Sequence, residues 1–416
     1  MKKIINKIIN IFSQREIILS ILTFTIGIIY ICNLFNIQIL NGKTYRERSE
    51  KRLVRNINVT ASRGEIYDRN GVVLATNKLS FDCVIYNIKV TAKEQNDGIL
   101  KFINILELNK DKIYSSFPIN DQSDNFNFLN KEEELKWKKE MNIKVDLDFN
   151  QTIDYYIGKY KLIEYNKIDS IKIIKIKYEA SLMGYSLFKC AVIAKDISKE
   201  SLAKIEEEKY LLFGIDTQSV PRRYYPETTL AAHTIGYVSR INSDDYTRLK
   251  SLGYSQNSVI GKMGVEQSFE KYLKGVDGVT RNYVDTLGVD SSETVITKPI
   301  TGNSVTLTLD YRLQKVAEDA LVKTINDIKN GTASMKKHED ASSGSVVVLD
   351  VNSGEVLASV SYPSFDINSF VSGIDYKTWN DLTNSSLRPL FNRSISGTYS
   401  PGSTYKMLIG LARSYG

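Results

Sequence analysis

The sequence predicts an α+β protein carried on a single N-terminal transmembrane helix, with a long mixed α/β region followed by a second α/β domain opening near residue 299. Three observations predict this. Residues 17–42 contain no charged side chain, and most of 17–40 is Ile, Leu, Phe and Tyr, about enough to cross a ~30 Å hydrocarbon layer as a helix. Beyond them, short β-rich runs interleave with helical periods, ending in an ordered strand, helix and hairpin over residues 305–360. Near the end, Ser403 and Lys406 stand three apart after Pro401-Gly402 and before a mostly apolar run, which reads as a helix with both side chains on one face.

The bulk numbers exclude several classes. At 416 residues, the chain is long enough for two or three domains. Its 42% hydrophobic and 25% charged content describes an ordinary globular polypeptide. A formal charge of +7 is too small to argue for nucleic acid, since lysine-rich solvated faces explain it equally well. Cys32, Cys83 and Cys190 form no spacing motif, and the only histidines are His233 and His338, so no Cys/His metal signature is present. Neither a metal nor a cofactor is expected.

Taken in order, residues 17–40 read as an uncleaved anchor. The run exceeds a signal-peptide h-region and lacks a small-x-small site before Asn41. Lys2, Lys3, Lys7 and Arg15 precede it, but Lys43, Arg46, Arg48, Lys51, Arg52 and Arg55 follow, so the positive-inside rule does not decide orientation. Residues 43–59 read as a charged, helix-leaning stalk. The run from Ala61-Ser62-Arg63-Gly64-Glu65 through Ile66-Tyr67-Asp68-Arg69-Asn70-Gly71 to Val72 predicts a hairpin turning at Asn70-Gly71.

Residues 81–212 mix short strands with lysine-rich helices, and 131–141 is expected to be a solvated helix. Ser123-Asp124-Asn125 spells S-x-N by coincidence in a polar stretch. His233, in His233-Thr234-Ile235-Gly236, is read as a satisfied structural histidine. Gly261-Lys262-Met263-Gly264 lacks Walker spacing and a strand leading directly into it, so a phosphate loop is disfavoured. After Lys298-Pro299, residues 305–309 alternate as a strand and 311–328 as an amphipathic helix. Residues 345–350 and 355–360 then form a hairpin around Asn352-Ser353-Gly354.

The chemistry rests on Ser403 and Lys406. A serine hydroxyl needs a base to become a nucleophile, and a desolvated lysine can serve. A serine at a helix N-terminus also presents its backbone N–H where an oxyanion would form. Met407, Leu408, Ile409, Leu411 and Ala412 are expected to bury this helix in a core. The S-x-x-K tetrad alone is weak, being equally a helix cap and a surface lysine. Its flanks are more specific. Asn392-Arg393-Ser394-Ile395-Ser396-Gly397-Thr398-Tyr399 leading into Pro401-Gly402-Ser403-Thr404-Tyr405-Lys406 closely resembles the nucleophile segment of class B penicillin-binding proteins, the membrane-anchored D,D-transpeptidases that cross-link peptidoglycan. The Ala61–Asn77 run resembles the segment that opens the extracytoplasmic pedestal of the same class, where it is structural, and the segment around Arg222-Arg223-Tyr224-Tyr225-Pro226 and Gly261-Lys262-Met263-Gly264-Val265-Glu266 resemble the pedestal of elongation-type members.

The resemblance implies a cytoplasmic tail over 1–16, an anchor over 17–40, an elongated extracytoplasmic pedestal of the dimerisation type over 41–298, and the opening part of a penicillin-binding transpeptidase domain over 299–416. It implies Ser403 as nucleophile and Lys406 as base, acting on the D-Ala-D-Ala end of peptidoglycan stem peptides and acylated by β-lactams. A polytopic glycan polymerase is the implied partner beside the membrane, with no nucleic acid. The family's later S-x-N and K-T-G motifs do not occur between Ser403 and Gly416. The expectation is therefore an amino-terminal fragment or prematurely ended reading frame, inactive by itself. The rival is a non-catalytic membrane-anchored interaction protein of the wall-elongation machinery. A secreted β-lactamase would need neither anchor nor pedestal.

Overall fold

The computed structural model describes residues 15–41, 54–120, 126–128, 131–255, 258–284, 290–333 and 336–415. The basic residues expected to flank the anchor at 2–7 and 43–52, and Ser123-Asp124-Asn125, lie outside the described residues. By its contacts the chain divides into two units, residues 1–56 with 281–294 and residues 57–280 with 295–416.

In the first unit, the helix Arg15–Phe35 continues as a π-helical turn, Asn36–Leu40. The 19 residues Leu22–Leu40 are long and apolar enough to cross a membrane. Near their start, the Thr23 hydroxyl donates back to Leu19 O at 2.8 Å, so it costs little in an apolar setting. The stalk departs from expectation. Val54–Val59 is a strand, in a three-stranded sheet with Gly278–Val284 and Asp290–Thr297. Its Val, Ile and Asn alternation suits a pleat better than a helix, and the basic residues before it had biased the reading.

The second unit is organised around the long strand Val73–Ile85. It pairs antiparallel with Ile215–Tyr224 from Thr76↔Tyr224 to Ile85↔Ile215. It also pairs with Ala191–Ala194 and, past the Asn70-Gly71 turn, with Ile66–Tyr67. Val305–Thr306 adds parallel to Ile66–Tyr67, a shorter strand than expected. The far end of the long strand is buried on both faces: Cys83 and Ile85 enter one core, while Val84 joins Tyr86 and Ile88 in another.

The larger core is closed by helices whose starts are chemically marked. Thr91 with Glu94 and Asp148 with Gln151 form capping boxes for Ala92–Leu108 and Phe149–Tyr160, and Asn166 caps Lys167–Leu182. The helix Lys131–Glu140 is not simply solvated. Trp137 is buried against Phe117 at 5.2 Å and its Nε1 donates to Tyr178 OH at 2.7 Å. Lys138 is fully buried, donating to Leu147 O and Glu134. One aromatic in a charged run was enough to turn a face inward, because burying an indole gains more than the adjacent aliphatic stem loses.

A second core joins Ile66, Leu74, Ala75 and Tyr225 to Leu273, Leu309, Phe365 and Phe370. Above it, the helix Tyr311–Asn330 and the antiparallel hairpin Gly344–Leu349 with Val356–Tyr362 form as the residue pattern predicts. The Arg63–Gly71 hairpin grips the start of that helix. Buried Asp68 accepts the N–H groups of Asn70, Val72 and Tyr311 at 2.7–3.0 Å. Asp310 caps Arg312 and Leu313, and Asn70 Nδ2 donates to Asp310 at 3.0 Å.

Candidate functional site

The nucleophile segment is moored upstream and open downstream. Asn392 caps the short helix Arg393–Ser396 and accepts the Ser394 hydroxyl at 2.6 Å. Arg393 is buried; its guanidinium donates to Arg388 O at 3.1 Å and to Leu387 O, and its N–H donates to Ser361 Oγ at 3.0 Å. Ser394 Oγ meets Ser359 Oγ at 2.9 Å. Ser359 is in turn held through its backbone by Gln314, which accepts its N–H at 2.8 Å and donates to its carbonyl at 3.0 Å. Gln314 also donates to Glu318 at 2.7 Å, which accepts the Ala231 N–H at 2.8 Å. Burial raises the Glu318 carboxyl above its ordinary range despite these two donors. The helix Tyr311–Asn330, the strand Val356–Tyr362 and the segment before Ser403 are thus joined by one polar chain.

Beyond it, Gly402 has φ +55°, a conformation that favours glycine and makes the bend expected of Pro-Gly. Gly402–Thr404 is a 3₁₀ turn leading directly into the helix Tyr405–Tyr415. Ser403 therefore lies on the turn and Lys406 on the first turn of the helix, three residues apart on helical backbone. Both are exposed, and among the described residues no hydrogen bond joins the hydroxyl to the ammonium. The expected burial of this helix is corrected: Met407, Leu408, Ile409 and Leu411 are 75%, 62%, 56% and 57% exposed. No described strand or helix covers that face.

Sequence reading missed a second polar centre, the one that holds the pedestal-like segments together. Arg63 donates to Glu266 and Glu270, both at 2.8 Å. Arg223 donates to Glu266 at 2.6 Å and to Gly64 O at 2.7 Å. Tyr225 OH also reaches Glu266, and Tyr254 OH reaches Glu270 at 2.9 Å. Glu266 is fully buried. Gly261 belongs to this packing and not to a phosphate loop: a Cβ there would sit 2.0 Å from Glu266 O, so the two backbones can touch only because it is glycine. His233 donates from Nε2 to Pro389 O at 2.6 Å with its ring edge-on to Phe365. Burial lowers its pKa, the bond to Pro389 working against that. Among the described residues no group of three or more His, Cys, Asp or Glu could hold a metal ion.

Residues 58–307 match the family model described as the penicillin-binding protein dimerisation domain, and residues 344–412 match the penicillin-binding protein transpeptidase domain. The peptidoglycan D,D-transpeptidase MrdA of Acinetobacter baumannii is 28% identical over 409 residues, covering 95% of this chain and 48% of that protein. The protein of the same name from Escherichia coli K12 is 28% identical over 408 residues, covering 97% and 51%. A solved peptidoglycan synthase complex that coordinates polymerization and crosslinking superposes with a TM-score of 0.53 at 25% identity, covering 97% of this chain and 56% of that one. The chain spans about half the length of the curated relatives it matches.

Proposed function

The chain belongs to the class B penicillin-binding proteins of the elongation type, and from that premise we propose that it serves peptidoglycan D,D-transpeptidation, with Ser403 as nucleophile and Lys406 as general base. The observation that carries the reading is the S-x-x-K spacing on continuous helical backbone immediately beyond a moored, family-like flank. Ser403 Oγ attacks the carbonyl of the penultimate D-alanine in a stem peptide while Lys406 Nζ takes its proton. The C–N bond breaks, the proton passes to the departing D-alanine amine, and an ester to Ser403 remains. An amine of a neighbouring stem peptide then attacks the ester, forming the cross-link and returning the proton to Ser403. The step needs an amine at Lys406 Nζ able to accept the hydroxyl proton. β-Lactams present the same acyl geometry and acylate Ser403.

On the same reading, residues 1–16 are a cytoplasmic tail, 17–40 the anchor, 41–298 an extracytoplasmic pedestal and 299–416 the opening of the transpeptidase domain. The resemblance to a synthase complex supports a polytopic glycan polymerase as membrane partner. The rival reading is a non-catalytic interaction protein of the elongation machinery.

Fluorescent penicillin separates the two. With Ser403 this exposed, the 416-residue polypeptide is expected not to label. A polypeptide in which it continues into a complete transpeptidase domain is expected to label, and Lys406→Ala to slow that labelling by about 10²–10⁴-fold. Absence of labelling in the longer polypeptide would favour the interaction protein.

A further inference from the structure

The helix Tyr311–Asn330 carries a half-buried acid whose charge the fold would be more stable without. Glu318 Oε1 accepts the Gln314 side-chain amide at 2.7 Å and the Ala231 N–H at 2.8 Å. Burial still raises its pKa, and Asp319 and Glu227 add like charge. Lys315, on the same helix, pairs with Glu227 at 3.7 Å instead. With the folded value above the unfolded one of about 4.3, the group's contribution is complete below that value and is lost as pH rises through the folded one. Near neutral pH the ionised carboxylate therefore weakens the fold.

What the acid does is hold an amide. Gln314 is 1% exposed. Its side chain makes three bonds: Oε1 accepts the Ser359 N–H at 2.8 Å, while Nε2 donates to Ser359 O at 3.0 Å and to Glu318. A glutamine amide can turn end for end, but an acceptor-only carboxylate beside Nε2 admits one orientation. That orientation is the one that fits both backbone groups of Ser359. The Ser394 hydroxyl gives its proton to Asn392 Oδ1, so Ser359 is the donor across the 2.9 Å contact between the two serines. The stretch from there to the nucleophile is braced as well. Gly397 N–H donates to Arg393 O at 3.3 Å, and a Cβ on Gly397 would lie 2.5 Å from the Tyr399 ring, so the ring rests directly on the glycine. Thr404 N–H returns to Pro401 O at 3.2 Å on the turn that holds Ser403. At the other end, buried Ala231 has φ +50°, a left-handed conformation that is costly for a residue with a Cβ. Such strain persists only where the surroundings over-determine it, and the bond to Glu318 is one such restraint.

We propose that Glu318 is a positioning residue for the nucleophile: through Gln314, Ser359 and Ser394 it fixes the segment that carries Ser403. The proposal rests on the reading of Ser403 as nucleophile. Glu318 itself touches neither substrate nor reacting atoms. A carboxylate serves better than an amide here, because charge-assisted hydrogen bonds are about twice as strong as neutral ones.

Glu318→Gln separates positioning from simple bracing, because it keeps an oxygen for both donors and removes the charge. In the detergent-solubilised full chain at pH 7 it is expected to raise the urea midpoint. Hydrogen exchange of the backbone amides of residues 391–397 is nevertheless expected to quicken by about threefold or more, with the helix Ala92–Leu108 unchanged. In a polypeptide that continues into a complete transpeptidase domain, acylation by fluorescent penicillin is expected to slow by a similar factor. Ser394→Ala cuts the last link, so adding Glu318→Gln to it is expected to change neither exchange nor acylation further. Unchanged exchange at 391–397, or effects of Glu318→Gln that persist in full beside Ser394→Ala, would overturn the proposal. So would a lower midpoint with faster exchange along the whole chain, the signature of a structural brace only. If the parent polypeptide does not label while the exchange response and its dependence on Ser394 are present, the nucleophile reading fails and the link through Glu318 stands.

Discussion

Glu266 receives two arginines and a tyrosine hydroxyl from segments far apart in the chain, Arg63 being 203 positions away. Nothing in the sequence announces that pairing. Arg63 and Glu266 stand in two separate motif-like runs of the sequence. Only the tertiary approach of the glycine at 261 to the Glu266 backbone brings them together. The arrangement is strongly asymmetric in energy, because removing the shared carboxylate leaves the buried Arg223 guanidinium without its acid and Arg63 with Glu270 alone. Glu266→Ala is therefore expected to destabilise the chain by about 3–5 kcal/mol in urea unfolding. A loss below about 1 kcal/mol would mean that water screens the pair and that the packing around it is looser than described. Lys138 and Trp137 teach a related lesson. Composition marks their helix as solvated, but side-chain burial is decided by the partner surface, here Phe117, Phe128 and Tyr178.

Local elements were more readable. The Asn70-Gly71 turn, the capped helix from Tyr311 and the Gly344–Tyr362 hairpin all follow from turn chemistry and period. The reading failed at Val54–Val59, where flanking charge outweighed alternation, and at Tyr405–Tyr415, where an apolar face was taken to imply a covered one. His233 was legible as structural, and its docking role can be tested. It ties the short helix Ala232–Ile235 to the Pro389 loop as a neutral imidazole. Its folded pKa is lowered by burial. Above the unfolded value of about 6.5 neither state binds the proton, and the contribution is complete. As pH falls, the unfolded chain takes the proton first, so stability drains away until pH passes the folded value. Unfolding midpoints are expected to drop as pH falls below about 6.5. Gln at position 233, which can keep a donor to Pro389 O, is expected to flatten that slope. A slope unchanged by His233→Gln would assign the pH dependence to other groups.

Across the whole chain, the pedestal-like segments and the nucleophile segment are connected through named bonds. Asp68 and Asn70 hold the start of the Tyr311–Asn330 helix, and Gln314 and Glu318 on that helix reach the strand that anchors Ser394. This continuity was invisible in the sequence, where the motifs stand as separate islands. The family was visible, and Ser403 and Lys406 could be singled out as the proposed catalytic pair, because both readings rest on short contiguous motifs whose residue types and spacing have direct chemical meaning. What covers Ser403 depends on surfaces that no contiguous motif encodes. The decisive experiment is peptide mapping by mass spectrometry after exposure to penicillin, in a polypeptide where this chain continues into a complete transpeptidase domain. A penicilloyl adduct on the peptide containing Ser403, absent from Ser403→Ala, is the expected outcome; an adduct on a different serine, or one that survives Ser403→Ala, would contradict the assignment of the nucleophile.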